Sequence, residues 1–113
     1  MALFTGLIRC SNNHSYKARK ERNNINYRCN HRLKYGKDKC DNDNMVSESY
    51  LLQMIEQQLE VINMKIENVD VRSIIDKIIV SNTRVDIFFK NLPIKNCYYD
   101  AKKNVLQFDT IQN

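Results

Sequence analysis

Apolar and polar positions alternate along the first third of the chain. Short alternating stretches run into Cys10, through Tyr16 to Lys20, and from Ile25 to Cys29. A period of two marks half-exposed β-strands, and the polar string KERNN between the last two predicts a turn. DNDN at 41–44 marks a break. Ser47 and Glu48 then supply a helix N-cap and a negative group for the positive end of the helix dipole. Leu52, Ile55, Leu59, Ile62, Ile66 and Val69 follow at steps of 3, 4, 3, 4, 3, which predicts an amphipathic helix with Gln53, Glu56, Gln57, Glu60 and Lys65 on its wet face. The stripe spans about two and a half heptads, short of a self-sufficient coiled coil. It reads either as a short coiled-coil remnant or as a helix lying on the body of the domain. VDVRSIIDKIIV continues the helical spacing through Ile74, Ile75 and Ile78, TRVDIFF alternates as a strand, and NCYYDAKKNVLQFD predicts a hairpin turning at Asp100–Asn104, with Pro93 in the loop before it. The expected fold class is α+β: a small β-ribbon, an amphipathic helix, and a C-terminal helix with antiparallel strands. The composition divides the chain into 1–44 and 45–113, the second segment completing the domain.

A length of 113 residues limits the chain to one domain, or one with a small satellite, and leaves little room for a large catalytic cleft. With 42% hydrophobic and 27% charged residues, two glycines and one proline, it has the make-up of a chain that folds. No apolar run approaches the ~18 residues of a membrane span. The opening MALFTGLIRC has the apolar length of a signal-peptide core but neither a preceding cation nor an A-x-A site, so a reducing, cytoplasmic setting is expected.

Charge is uneven. Residues 1–44 hold ten Lys/Arg against four Asp/Glu, and residues 45–113 hold eight against nine. Cations clustered in one segment point to a polyanionic partner, because they release counterions from phosphates.

The same segment holds Cys10, Cys29 and Cys40 of the four cysteines, and both histidines, His14 and His31. In a reducing compartment thiols stay free, and metal binding becomes the leading reading. Three thiolates and one imidazole suit tetrahedral Zn²⁺. Cys10-x3-His14 forms one knuckle, in which Ser11, Asn12 and Asn13 are turn-formers, and Cys29-x10-Cys40 forms a second, wider element. Cys29-x-His31 also brings two donors close, so His31 competes with His14; the spacing favours His14. A metal also answers a shortage of core. The large apolar groups of 1–44 are few, and a segment this short needs a staple. Cys97, far downstream, reads as a free, packed thiol.

LFTGLIRC, YRCNHRLKYGKDKCDN, the helix that follows, and IIDKIIVSNTRVDIFFKNLP stand in an order and style that resembles the C-terminal end of large serine recombinases, the phage integrases and transposases that carry a zinc β-ribbon. The likeness covers about positions 3 to 93. It implies a zinc ribbon lying in the groove of attachment-site DNA and a helix leading towards a synaptic coiled coil. By position Cys10, Cys29 and Cys40 match the family's ligands. His14 departs from it, because Asn13 stands at the place of the family's second cysteine and His14, one residue further on, would have to substitute, and the long coiled coil is reduced to the Leu52–Val69 stripe. The stripe would also be the surface for another recombinase subunit.

On this reading Lys17, Arg19, Lys20, Arg22, Arg28, Arg32, Lys34, Lys37 and Lys39 form the cationic surface for duplex DNA, with Tyr16, Tyr27 and Tyr35 among them. No phosphate-binding glycine loop, Ser-His-Asp spacing or carboxylate pair with a histidine is visible, so a binding rather than a catalytic role is expected. Two other readings compete: a zinc-stabilised adaptor docking a partner helix through the stripe, and an RNA-binding ribbon.

Overall fold

The computed structural model describes residues 2–42, 44–94, 96–100 and 105–109. Alternation in the front segment folds as expected into strands β1 (Ile8–Cys10), β2 (Tyr16–Glu21) and β3 (Asn24–Cys29), followed by a short helix α1 (Asn30–Tyr35). β2 and β3 pair antiparallel from Tyr16↔Cys29 to Glu21↔Asn24. This parity buries Tyr16, Tyr27 and Cys29 on one face and leaves Lys17, Arg19 and Arg28 exposed on the other. A two-residue β4 (Val46–Ser47) joins β3 to complete a three-stranded sheet.

Helix α2 (Glu48–Val61) begins where its cap predicts, with the Ser47 hydroxyl accepting from the Tyr50 N–H at 3.1 Å. Its inner face, Leu51, Met54, Ile55, Gln58 and Leu59, is buried against β3 and β4. The expected continuation to Val69 is corrected. Asn63 takes a left-handed φ of 58°, and the N–H groups of Asn63 and Met64 turn back to the carbonyls of Glu60 and Leu59 at 3.1 and 2.9 Å. That is a Schellman cap, with asparagine at the position that needs positive φ. Ile62, Ile66 and Val69 still lean half-buried on the core, but from a turn and a 3-10 segment at Ile66–Asn68. The centre of the stripe packs inside the domain: Ile55 and Leu59 are 0% exposed, so the helix lies on the domain body, while Leu52, Ile62, Ile66 and Val69 are half-buried.

A second correction concerns Ile75 to Ile78. Helix α3 (Val71–Ile74) is a single turn, and strand β5 (Ile75–Val80) starts at once. Its pairing with β6 (Arg84–Phe89) slips between Ile75 and Lys77. A bulge there shifts the strand's parity, so Ile75 and Ile78, three apart, both point inward. The bulge imitates helical spacing. Beyond β6 come β7 (Asn96–Asp100) and β8 (Val105–Asp109), paired antiparallel as a hairpin; the expected turn lies, beyond Asp100, outside the described residues, as does Asp43 of the DNDN break.

The five-stranded sheet runs β1-β5-β6-β7-β8. β1 lies parallel to β5, with Ile8 opposite Ile78 and Cys10 opposite Val80. The front segment thus shares one core with the back: Phe4, Ile8, Tyr27, Leu51, Ile75, Ile78 and Ile87 fall in a single buried cluster. Its lead-in is pinned by Tyr27, whose hydroxyl accepts from the Phe4 N–H and donates to Glu48 Oε1, both at 3.0 Å.

On the buried face of α2 Gln58 is 0% exposed, and neither its Oε1 nor its Nε2 has a hydrogen-bond partner among the described residues. Leaving a buried amide unsatisfied costs about 1–3 kcal/mol. Gln58→Met, close in shape, is expected to raise stability by about 1 kcal/mol or more in a urea titration. A loss of stability would show that the amide has a partner in solution.

Candidate metal centre and cationic ribbon

Three short-range devices bring the sequence-predicted donors together. After β1, Ser11–Asn13 turn the chain: the Asn13 N–H donates to the Cys10 carbonyl at 2.8 Å, Asn13 takes φ 67°, and the Cys10 N–H donates to the His14 carbonyl at 2.7 Å. Cys29 ends β3 on its inward parity, at the start of α1. After α1, Gly36 with φ 93° turns the chain, and its carbonyl accepts from the Lys39 N–H at 3.1 Å and the Cys40 N–H at 3.4 Å. A glycine suits that positive φ.

The Sγ atoms of Cys10 and Cys40, and of Cys29 and Cys40, lie 3.6 Å apart, and His14 Nδ1 is 4.0 Å from Cys29 Sγ. All four donor atoms fall within 4.8 Å of one another, and the three sulfurs are buried. A tetrahedral ion with metal–sulfur bonds of about 2.3 Å separates its sulfurs by roughly 3.8 Å. The donor set fits a single metal ion. His31, the competing imidazole, stays outside it: its ring stacks on His14 with centroids 3.9 Å apart and planes at 12°. Burial, then the His14 and Lys39 charges, lower the pKa of His31.

The electrostatics of the cluster are those of crowded thiols. Burial pushes Cys29 up to about 11, with the neighbouring Cys40 and Cys10 sulfurs adding to it against the Arg32 backbone N–H. At Cys40 burial acts in the same direction, yet it is outweighed by hydrogen bonds from the Asn42 backbone N–H, His14, Asn12 and Cys10, and the thiol falls to about 6. Hydrogen bonds favour ionisation at Cys40 while burial and the neighbouring sulfurs oppose it at Cys29; a cation among the sulfurs would favour the thiolate form of each.

Sequence reasoning missed Asn42. The residue is 2% exposed, and its Nδ2 donates to Cys10 Sγ and the Tyr16 hydroxyl at 3.1 Å each and to the Val80 carbonyl at 2.8 Å. It ties the ligand loop to β2 and β5 at once. Burial and the three sulfurs raise the pKa of Tyr16, which keeps its hydroxyl a donor, to the Asn44 carbonyl at 2.8 Å. The available signal was an amide two residues beyond a candidate ligand, in a string read only as a break. Removing such outer-shell partners weakens metal affinity about 10–100-fold. Asn42→Ala is expected to do so here, measured by competition against a chelating dye; an unchanged affinity would limit Asn42 to a packing role.

The nine predicted cations do not form one face. Lys17, Arg19 and Arg28 share the outer face of the hairpin, and Lys20 has the opposite parity, beside Ile25. Arg22 stands at the hairpin tip with φ 57°. Arg32 and Lys34 ride on α1, and Lys37 and Lys39 on the loop into Cys40. All are exposed except Arg32, which is half-buried and donates from Nη1 to the Cys40 carbonyl at 3.0 Å. Arg32 therefore also holds the ligand loop in place. Downstream, Cys97 is a free, fully buried thiol, pushed up to about 12 by burial and the Asp86 charge. Among the described residues no helix is long and apolar enough to cross a membrane.

No curated protein and no solved structure matches the chain. A family model described as the recombinase zinc beta ribbon domain matches residues 3–60, just over half of the 113, and this span includes all four clustered donors and the hairpin. The chain belongs to the recombinase zinc beta ribbon domain family.

Proposed function

We propose that the chain is the zinc-organised DNA-binding module of a site-specific serine recombinase. Cys10, His14, Cys29 and Cys40 would hold Zn²⁺, which supplies a structural cross-link between the two knuckles. Residues 1–44 carry the binding face and 45–113 complete its core. The outer face of the hairpin, with Arg22, Lys34, Lys37 and Lys39 around it, is the surface for duplex DNA.

One observation carries this reading. Lys17 and Arg28 are directly opposite each other across β2 and β3. Like charges at paired positions destabilise a sheet, and an external polyanion removes the penalty. On the hairpin the one ion pair found among the described residues is Arg19–Glu21, at 4.0 Å, so most of this charge is unneutralised from within.

Arg22 supports the same reading. A non-glycine residue in the left-handed region costs about 1–2 kcal/mol, which an uncharged turn would avoid with glycine. Arg22→Gly is expected to raise stability by up to about 1 kcal/mol while lowering DNA affinity.

The test is a titration of a labelled 30-bp duplex by the zinc-loaded chain at several salt concentrations. If about five phosphates are neutralised, log K falls against log salt with a slope near −4 to −5, and Arg22→Gly makes the slope shallower by about 1. A slope near zero contradicts the reading, and a clear preference for single-stranded RNA in competition replaces it with the RNA-binding one.

A further inference from the structure

The cations of the ribbon stand in different company. Lys20, Lys37 and Lys39 are exposed on polar stretches of chain. Arg28 is not. It stands between two exposed apolar side chains, Leu33 of α1 at 52% and Met45 at 42%, two of the four large apolar residues left exposed among those described. Its Nε donates to Met45 Sδ at 3.1 Å. No carboxylate pairs with it among the described residues. Arg28 and Leu33 also line two grooves, one of about 380 Å³ shared with Lys17, Arg19 and Glu21, and one of about 340 Å³ shared with Arg32, Asn44 and Met45.

A phosphate needs positive charge and has no use for apolar neighbours. A base edge is different: guanine offers O6 and N7 to the two-pronged guanidinium, and thymine adds a methyl group that apolar side chains cover. We infer that Arg28 reads a guanine in the major groove and that Leu33 packs against the 5-methyl of a neighbouring thymine, so that these two residues set sequence preference while the other cations grip phosphate. The inference rests on the DNA-binding reading above and assigns a specificity-determining site within it.

The experiment selects bound duplexes from a library with a randomised 16-bp centre, using the zinc-loaded chain and its Arg28→Lys, Leu33→Ala and Lys37→Ala variants at one salt concentration. The unaltered chain is expected to enrich a site containing a guanine next to a thymine. Arg28→Lys should lose about 10- to 100-fold of the preference at that guanine, the range for a bidentate contact. Leu33→Ala should cease to distinguish thymine from deoxyuridine, and 7-deazaguanine at the key position should reproduce the Arg28 defect in the unaltered chain. Lys37→Ala should weaken all sequences alike. If the chain binds without sequence preference, or if Arg28→Lys weakens all sequences alike, the inference fails and the DNA-binding reading survives. If the unaltered chain shows no salt-dependent binding to any duplex, both fail together.

Discussion

Serine in place of Cys29 or Cys40 is expected to abolish stoichiometric zinc binding and to melt the ribbon, while His14→Ala has an intermediate effect. Cys40 lies 3.6 Å from both other sulfurs, so its loss opens the cluster at its centre. An apparent structural-zinc free energy on the order of 10 kcal/mol exceeds what a 44-residue segment gains from its own apolar contacts. Part of the front segment is nonetheless anchored without metal, because β1 pairs with β5 and Phe4, Ile8 and Tyr27 are in the shared core. The expected pattern is local. β2, α1 and the ligand loops lose amide-exchange protection, and β5 and β6 keep theirs. Metal analysis of the purified variants, with hydrogen exchange, checks both parts. One zinc equivalent retained in Cys29→Ser and Cys40→Ser would refute the ligand set.

Ile55→Asp is expected to unfold the protein, a loss above about 4 kcal/mol, because a carboxylate would enter a fully buried position in the apolar core. Ile62→Asp, on the half-buried C-cap of α2, should cost much less. The contrast also decides the adaptor reading. A stripe that docked a partner helix would tolerate both substitutions in the isolated chain and lose only the partner. Thermal melts of the two variants separate these outcomes: near-native melting of Ile55→Asp would put α2 back on the surface.

What the sequence made legible was whatever its local chemistry decides. Strand parity from Tyr16 to Cys29, the Ser47 cap and the turn-formers between Cys10 and His14 each act within a few residues, and all appear in the structure. The cluster of Cys10, His14, Cys29 and Cys40 was legible because few chemistries gather three thiols and two imidazoles in one basic segment, with spacing favouring His14 over His31. The misreadings have definite causes. α2 looked longer because Ile62, Ile66 and Val69 serve the same core after the chain has left the helix, and the one residue that ends it, Asn63, is a weaker signal than a continuing stripe. β5 looked helical because its bulge places Ile75 and Ile78 on one side. Asn42 and the parallel pairing of β1 with β5 depend on contacts reaching from the front of the chain to Val80 and Ile78, beyond any local pattern.

Zinc-edge X-ray absorption on the loaded, unaltered chain tests the central claim most directly. Three sulfurs at about 2.3 Å and one nitrogen at about 2.0–2.1 Å are predicted around the ion. A shell of oxygens and nitrogens, or one with fewer than three sulfurs, would contradict it.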